Sequence, residues 1–253
     1  MPWNPQQYLS YSSERLRPAL DLMARINLDA PQRIVDLGCG PGNVTAILHE
    51  RWPQAAVTGI ENSPEMLDSA RKIDGICWEL ADVATWQPDE RYDLVFSDAT
   101  LHWLDHHDTL FPRLAHSVAS GGVLAVQMPR NFASGSHVIA REVARSGPWA
   151  ARLEPLLREA PVHDPAEYYR ILAPHAKHLD IWETEYLHVL DGDNPVADWT
   201  RGSLLVPLLA ALDEPLRTGF EAEYRRRINV TYPAERDGKT LFPFRRIFLI
   251  AVF

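Results

Sequence analysis

The chain has two cysteines, no apolar run of membrane length, a shortage of positive charge and no internal repeats, and each absence excludes a class of protein. Cys39 and Cys77 are too few for a disulfide framework or a zinc site, so both are expected to be free thiols in a reducing compartment. No stretch approaches the roughly 20 apolar residues of a membrane span, and the polar N-terminal region holds no signal-peptide core; a cytoplasmic protein with no membrane partner is expected. Lysine and arginine number 25 against 34 aspartates and glutamates, a net charge of −9. Phosphate-rich partners need a clustered basic surface, so nucleic acid is not expected as the substrate. What remains is 253 residues, 46% hydrophobic and 23% charged. That composition suits a folded chain with a full core. It fits one large α/β domain, or a nucleotide-binding core of about 130 residues carrying a cap.

The most informative stretch is Arg33-Ile34-Val35-Asp36-Leu37-Gly38-Cys39-Gly40-Pro41-Gly42-Asn43, an apolar, β-prone run that breaks into three alternating glycines. It predicts a strand that stops at a bare-backbone turn and feeds a helix, where a ligand can lie against main chain with no Cβ in the way. Ala55–Ile60 predicts a second strand, ending in Glu61 about twenty residues past the turn, where a carboxylate can accept hydrogen bonds from both hydroxyls of a ribose. Ser63-Pro64 then supplies an N-cap and a first-turn proline for a new helix. Dinucleotide folds space their glycines G-x-G-x-x-G for a pyrophosphate. Here the spacing is G-x-G-x-G, with Asp36 just before it.

Strands are expected near 33–37, 55–60, 76–80, 92–97 and 122–128, with helices near 43–51, 64–72 and 107–118. A further helix precedes them on Leu16, Leu20, Met23 and Ile26. Such alternation implies parallel pairing with right-handed crossovers. Past Pro129 the rhythm fails. Helical stretches follow near 136–145, 164–172 and 195–230, a strand over 181–189, and a closing strand over 246–253.

The chain resembles the class I S-adenosylmethionine-dependent methyltransferases in Asp36-Leu37-Gly38-Cys39-Gly40-Pro41-Gly42, in Gly59-Ile60-Glu61-Asn62-Ser63-Pro64-Glu65-Met66-Leu67 and in Ala81-Asp82-Val83. The resemblance implies a Rossmann-like α/β fold: a seven-stranded, mostly parallel sheet with helices on both faces and a helical cap. It divides the chain into an N-terminal lid segment and helix (1–30), a cofactor-binding core (31–130), cap insertions (131–178 and 191–240) and closing strands (179–190 and 241–253). It implies S-adenosylmethionine as cofactor and a metal-independent reaction. The cofactor-binding positions carried over are Asp36, Gly38, Cys39, Gly40, Glu61, Asn62, Met66, Asp82, Val83 and Ser97. Asp36 suits a cationic amino group or sulfonium. Asp82 and Trp86 suit an adenine, with the Asp82 carboxylate accepting its amino group and Val83 covering the ring.

Trp3-Asn4-Pro5, Tyr8-Leu9, Glu14–Pro18, Gly121–Pro129 and Tyr232-Pro233 resemble the trans-aconitate 2-methyltransferases, a family that methylates one carboxylate of a small tricarboxylic acid. By that resemblance Tyr8 and Arg15 fold over the cofactor as a lid. The chain departs from the family pattern at Asp98-Ala99…His102-Trp103, at Arg130 and at Val206, where the family carries Asn-Ala…Gln-Trp, Asp and an arginine. Val206 cannot clamp a carboxylate as a guanidinium does. The acceptor is thus expected to be a small molecule, and two readings stand. A carboxylate is already ionised at pH 7 and needs only cationic positioning, for which Arg130 is best placed, followed by Arg201 and by Arg245 or Arg246, with Trp103 beside the acceptor. A hydroxyl or amine needs a base, which Asp98 or His102 can supply. The same two residues can instead cap a turn and pack beside Trp103. Arg225-Arg226-Arg227 reads as a solvated helix face, and His106-His107 as no metal site. A monomer or homodimer is expected.

Overall fold

The structure is a computed structural model that describes residues 12–158 and 160–253. Tyr8 lies outside the described residues, as does the side chain of Arg15. The chain forms two compact units. Of the described residues, one comprises 15–129, 161–184 and 246–253, the other 12–14, 130–158, 160 and 185–245. No helix among the described residues is long and apolar enough to cross a membrane.

The sheet has seven strands in the order β3-β2-β1-β4-β5-β7-β6. They are β1 (Arg33–Leu37), β2 (Ala56–Glu61), β3 (Cys77–Leu80), β4 (Tyr92–Asp98), β5 (Val118–Pro129), β6 (His178–Leu190) and β7 (Thr240–Val252). β1 to β5 pair in parallel, and β7 runs antiparallel to β5. The order reverses between β1 and β4. Ligands of open α/β sheets bind beyond the carboxyl ends of the strands at such a switch.

The central strands read as near-continuous apolar runs because both faces are covered. Val35, Leu37, Val95, Leu124 and Val126 pack with Leu110, Phe111 and Leu114 of the helix His107–His116. Their strand neighbours Ile34, Leu94, Phe96 and Ala125 point to the opposite face and are equally buried. Each full burial of such a side chain contributes about 1.5–3 kcal/mol. The helix Asn43–Arg51 leaves the glycine turn directly. The helix Pro64–Ala70 starts as its sequence directs, Ser63 Oγ accepting the N–H of Met66 at 3.3 Å.

The stretch 161–178 differs from the sequence reading, which assigns it to the cap. It belongs to the sheet unit, because Val162, Tyr168 and Leu172 on and before the helix Pro165–Leu172 bury themselves in that unit's core. The other unit has its own core. Ile139, Val143, Leu153, Trp199, Leu208, Phe220 and Ile228 cluster there with Phe242. The helices expected over 195–230 are Pro195–Arg201, Val206–Ala210 and Leu216–Thr231, separated at Gly202 and around Pro215. Arg226 and Arg227 of the last both donate to Glu223.

A buried chain of hydrogen bonds fixes the turn that follows β4. His107 is fully buried. Its Nε2 lies 3.0 Å from the carbonyl of Leu101 and its Nδ1 2.6 Å from Tyr168 Oη, which also accepts the N–H of His163 at 3.3 Å. A carbonyl only accepts, so Nε2 carries the proton, and Tyr168 donates to Nδ1. Burial pushes the His107 pKa below the usual imidazole value. The linked stability is therefore present above pH ~6.5 and lost as pH falls below it, because the unfolded state takes up the proton more readily. Tyr168→Phe leaves Nδ1 without its donor. We expect it to cost about 1–3 kcal/mol in urea unfolding at pH 7.5; unchanged stability would refute this role.

Candidate active site

The turn after β1 is held from behind. The N–H groups of Gly38 and Cys39 donate to the carbonyl of Ile60 at 2.8 and 2.9 Å, fastening the turn to the end of β2. Gly40 has φ +55°, and a Cβ built there would meet only Met66 Sδ, at 3.6 Å. The Gly40 main chain is thus bare on the side where a ligand has room. Its N–H donates to Glu61 Oε2 at 3.0 Å, while Glu61 Oε1 accepts from Asn62 and Ser63 at 2.9 and 3.0 Å. Three backbone donors therefore aim the Glu61 carboxylate beside the glycines.

Asp36 lies at the penultimate position of β1 and is 1% exposed. Burial pushes its carboxyl up to about 7, against the hydrogen bond that Thr45 Oγ1 donates at 2.6 Å; the charges of Asp98 and Glu61 push further up. Burial, with Asp36 and Glu61, also drives the Cys39 thiol far upward, so it stays neutral. The structure thus gathers Asp36, Gly38, Cys39, Gly40, Glu61, Asn62 and Met66 at one end of the sheet. The N–H of Ala81 donates to the Glu61 carbonyl at 3.1 Å and brings Asp82 and Val83 alongside.

Two sequence expectations change here, those for Trp86 and Ser97. Trp86 does not line this edge; it is 7% exposed and packs in the core against Tyr92, ring centroids 5.9 Å apart. Asp82 Oδ1 caps its own turn by accepting from the N–H of Ala84 at 2.8 Å. Ser97 is fully buried and donates to the Leu37 carbonyl at 2.9 Å, so its hydroxyl ties β4 to β1. Side chains alternate along a strand, and Ser97 takes the inward position while Asp98 takes the next.

After Asp98 the chain bends sharply. Ala99 has φ +51°, an uncommon conformation for a residue with a Cβ, and its N–H donates to the Gln127 carbonyl at 3.0 Å. A short 3₁₀ turn, Leu101–Trp103, follows, with the His102 and Trp103 rings 4.7 Å apart and Trp103 49% exposed. Asp98 Oδ1 has no hydrogen-bond partner among the described residues. Burial pushes its carboxyl up to about 7, with Arg246 pulling down. Beside it on β5 stands Gln127, fully buried, whose Oε1 accepts from Arg246 Nη1 at 3.2 Å. Arg246 is itself 4% exposed.

The remaining anion-binding candidates belong to the second unit. Arg130 is half-buried, its N–H donating to the Arg245 carbonyl at 2.9 Å. Next to it Asn131 is 4% exposed, and neither polar atom of its side-chain amide has a partner among the described residues. Arg201 faces Glu221 at 2.7 Å, so a partner within its own unit already offsets its charge. Among the described residues no three His, Cys, Asp or Glu side chains form a metal-holding group.

A family model described as a methyltransferase domain matches residues 34–122, which span β1 to the start of β5. Trans-aconitate 2-methyltransferase of Azoarcus sp. (strain BH72) is 47% identical over 251 residues, covering 99% of this chain and 98% of that protein. The chain belongs to the trans-aconitate 2-methyltransferase family. The enzyme of that name from Methylobacterium radiotolerans is 46% identical, covering 98% of this chain and 97% of its own. Among solved structures, the YcgJ protein of Bacillus subtilis superposes with a TM-score of 0.60 over 92% of this chain and 97% of that one; at 12% identity it shows the shared fold alone. The protein is an S-adenosylmethionine-dependent methyltransferase on a Rossmann-like sheet, as the motifs led us to expect.

The site fits that cofactor. Three carboxylates, Asp36, Glu61 and Asp98, stand round the glycine turn, and those of Glu61 and Asp98 raise the pKa of Asp36. A ligand bringing a sulfonium and an ammonium relieves this repulsion, whereas a pyrophosphate would add to it. The open face of Gly40 leaves room for a chain without phosphates. The buried polar pair Gln127 and Arg246 escaped the sequence reading or ranked low in it. Their one signal was a polar residue inside or just beside an apolar strand, which in a buried sheet calls for an explanation.

Proposed function

We propose that this methyltransferase esterifies a carboxylate of a small organic acid, trans-aconitate or a close relative, in the cytoplasm, where Cys39 and Cys77 stay reduced. The observation that carries the reading is the extent of the likeness. Identity of 47% runs along 99% of the chain, so it includes the insertions beyond the cofactor core that select the acceptor. When bound, the cofactor supplies an electrophilic methyl group. In this proposal Asp36 and the Gly38–Gly40 main chain hold its amino-acid part, Glu61 and Asn62 its ribose, and Met66, Asp82 and Val83 its adenine. A carboxylate acceptor is ionised at pH 7, so the residues need only place it in line and exclude water. Such positioning is worth up to about 7–11 kcal/mol in favourable systems. Arg130 supplies cationic positioning and Trp103 an apolar wall.

The test is methyl transfer from labelled cofactor to a panel of organic acids. We expect a base-labile methyl ester. Arg130→Ala should raise the acceptor KM about 10- to 100-fold, the weight of a charge-assisted hydrogen bond. His102→Ala should keep kcat within a few-fold. Label on an ether oxygen or an amine, with His102→Ala inactive, would replace the acid by a hydroxyl or nitrogen acceptor.

A further inference from the structure

Asp98, Gln127 and Arg246 form a polar row across three neighbouring strands inside an otherwise apolar sheet. Asp98 and Gln127 are register partners on β4 and β5. Gln127 pairs with Phe248 on β7, and Arg246, two residues from Phe248, shares its face. One bond is made within the row, Arg246 Nη1 to Gln127 Oε1 at 3.2 Å. Two of its atoms, Asp98 Oδ1 and Gln127 Nε2, are buried with no hydrogen-bond partner among the described residues. Orphaned polar atoms at the ligand end of a sheet are costly unless something else satisfies them.

We propose that this row receives a second carboxylate of the acceptor, one not being methylated, with Asp98 taking part as the neutral acid so that acceptor binding takes up a proton. The inference rests on the acid reading above. The donor inventory leads there. Gln127 Nε2 offers N–H groups, Arg246 offers a planar fork, and a carboxylate offers only acceptors. Ionised, Asp98 would repel that ligand; protonated, it adds a third donor. The charge then balances in both states. Without ligand, Asp98 as carboxylate offsets buried Arg246; with ligand, the incoming carboxylate does so and Asp98 holds the proton. The row does not serve the reacting oxygen, because three donors on it would weaken its attack on the methyl group.

Burial, rather than the charged neighbours, favours the uptake. Asp36 on β1 faces Asp98, Glu61 on β2 stands beyond Asp36, Arg246 lies on β7 and His102 on the turn that follows β4. Burial resists a negative charge at Asp98 and keeps its carboxyl up at about 7, although Arg246 supports one. Proton exchange on binding thus falls within the working pH range.

The experiment titrates trans-aconitate into the protein saturated with S-adenosylhomocysteine, at pH 6 to 8.5, in two buffers of different ionisation enthalpy, and follows KM and kcat over the same range. We expect uptake approaching one proton at pH 8, a KM rising about tenfold per pH unit above ~7, and a flat kcat. In Asp98→Asn the uptake and the KM slope should vanish while S-adenosylhomocysteine still binds. Binding without proton uptake overturns this assignment alone. So does a kcat that rises through pH 7 and is abolished in Asp98→Asn, which makes Asp98 a base. If no acid binds or is esterified, the acid reading fails and this assignment with it. Should Asp98→Asn not fold, proton uptake by the unaltered protein still decides.

Discussion

Replacing Glu61 by alanine is expected to weaken binding of S-adenosylmethionine and S-adenosylhomocysteine by about 100-fold or more. The carboxylate is 9% exposed and takes three main-chain N–H groups, from Gly40, Asn62 and Ser63. Two carboxylate oxygens offer roughly four acceptor positions, so capacity remains for a ligand hydroxyl. A hydrogen bond to a charged group contributes about 1.5–3 kcal/mol, so one ribose hydroxyl on that position, together with the loosening of the turn, accounts for the expected loss. Alanine also strips the acceptor from three amides of the turn, so the free protein should melt at a lower temperature. Glu61→Gln separates the two effects. It keeps one carbonyl oxygen for Asn62 and Ser63 but loses the charge, and should fall between alanine and the unaltered protein. Calorimetry of S-adenosylhomocysteine binding, paired with thermal melts, reads both. Full affinity in Glu61→Ala would remove the cofactor assignment from this carboxylate.

Glu61 was legible because strand, turn and cap were spelled out around it. Ala56–Ile60 is apolar and β-prone, Ser63 caps the next helix as its type predicts, and Glu61 stands between with no competing role. The same holds for β1 and the helix Asn43–Arg51, whose observed bounds match the expected ones. Legibility falls where period stops fixing direction. At the end of β4 the pattern Phe96-Ser97-Asp98 does not say that both polar residues bury a side-chain oxygen, Ser97 against the Leu37 carbonyl and Asp98 on the opposite face of the strand. Trp86, two turn residues past Ala84, reads equally well as an adenine wall or a core ring, and Tyr92 settles the matter. β7 begins at Thr240, close to the 241 that the family resemblance implies, whereas the residue pattern alone starts the strand at 246 because Pro243 masks it. The buried pair Gln127 and Arg246 is separated by 119 residues. No local rule joins them; only the antiparallel pairing of β7 with β5 does.

Gly38→Ala is the second large expected effect, and it tests the turn independently of any ligand. Gly38 has φ +75°, and an alanine there incurs about 1–2 kcal/mol for the left-handed conformation. Its Cβ would lie 2.2 Å from both Thr100 Cγ2 and Oγ1 and 2.6 Å from Thr100 Cβ. The last contact involves an atom fixed to the backbone, so rotating the side chain cannot clear it. Thr100 also donates from Oγ1 to the Gly38 carbonyl at 3.1 Å, a link that joins the turns after β1 and β4. Overpacking of this kind costs about 1–3 kcal/mol more. The sum lowers the melting temperature of a chain this size by about 10 °C. Because the displaced turn also carries Gly40 and its bond to Glu61, S-adenosylhomocysteine affinity should fall with stability. Thr100→Ala removes two of the three overlapping atoms but not the strain at Gly38. The double variant should therefore recover part of the loss and no more, with a coupling of about 1 kcal/mol or above in a double-mutant cycle. Additive effects would mean that Thr100 is not what confines the glycine. Unchanged melting and affinity in Gly38→Ala would mean that the turn tolerates a side chain, and that a bare backbone there is not what the cofactor requires.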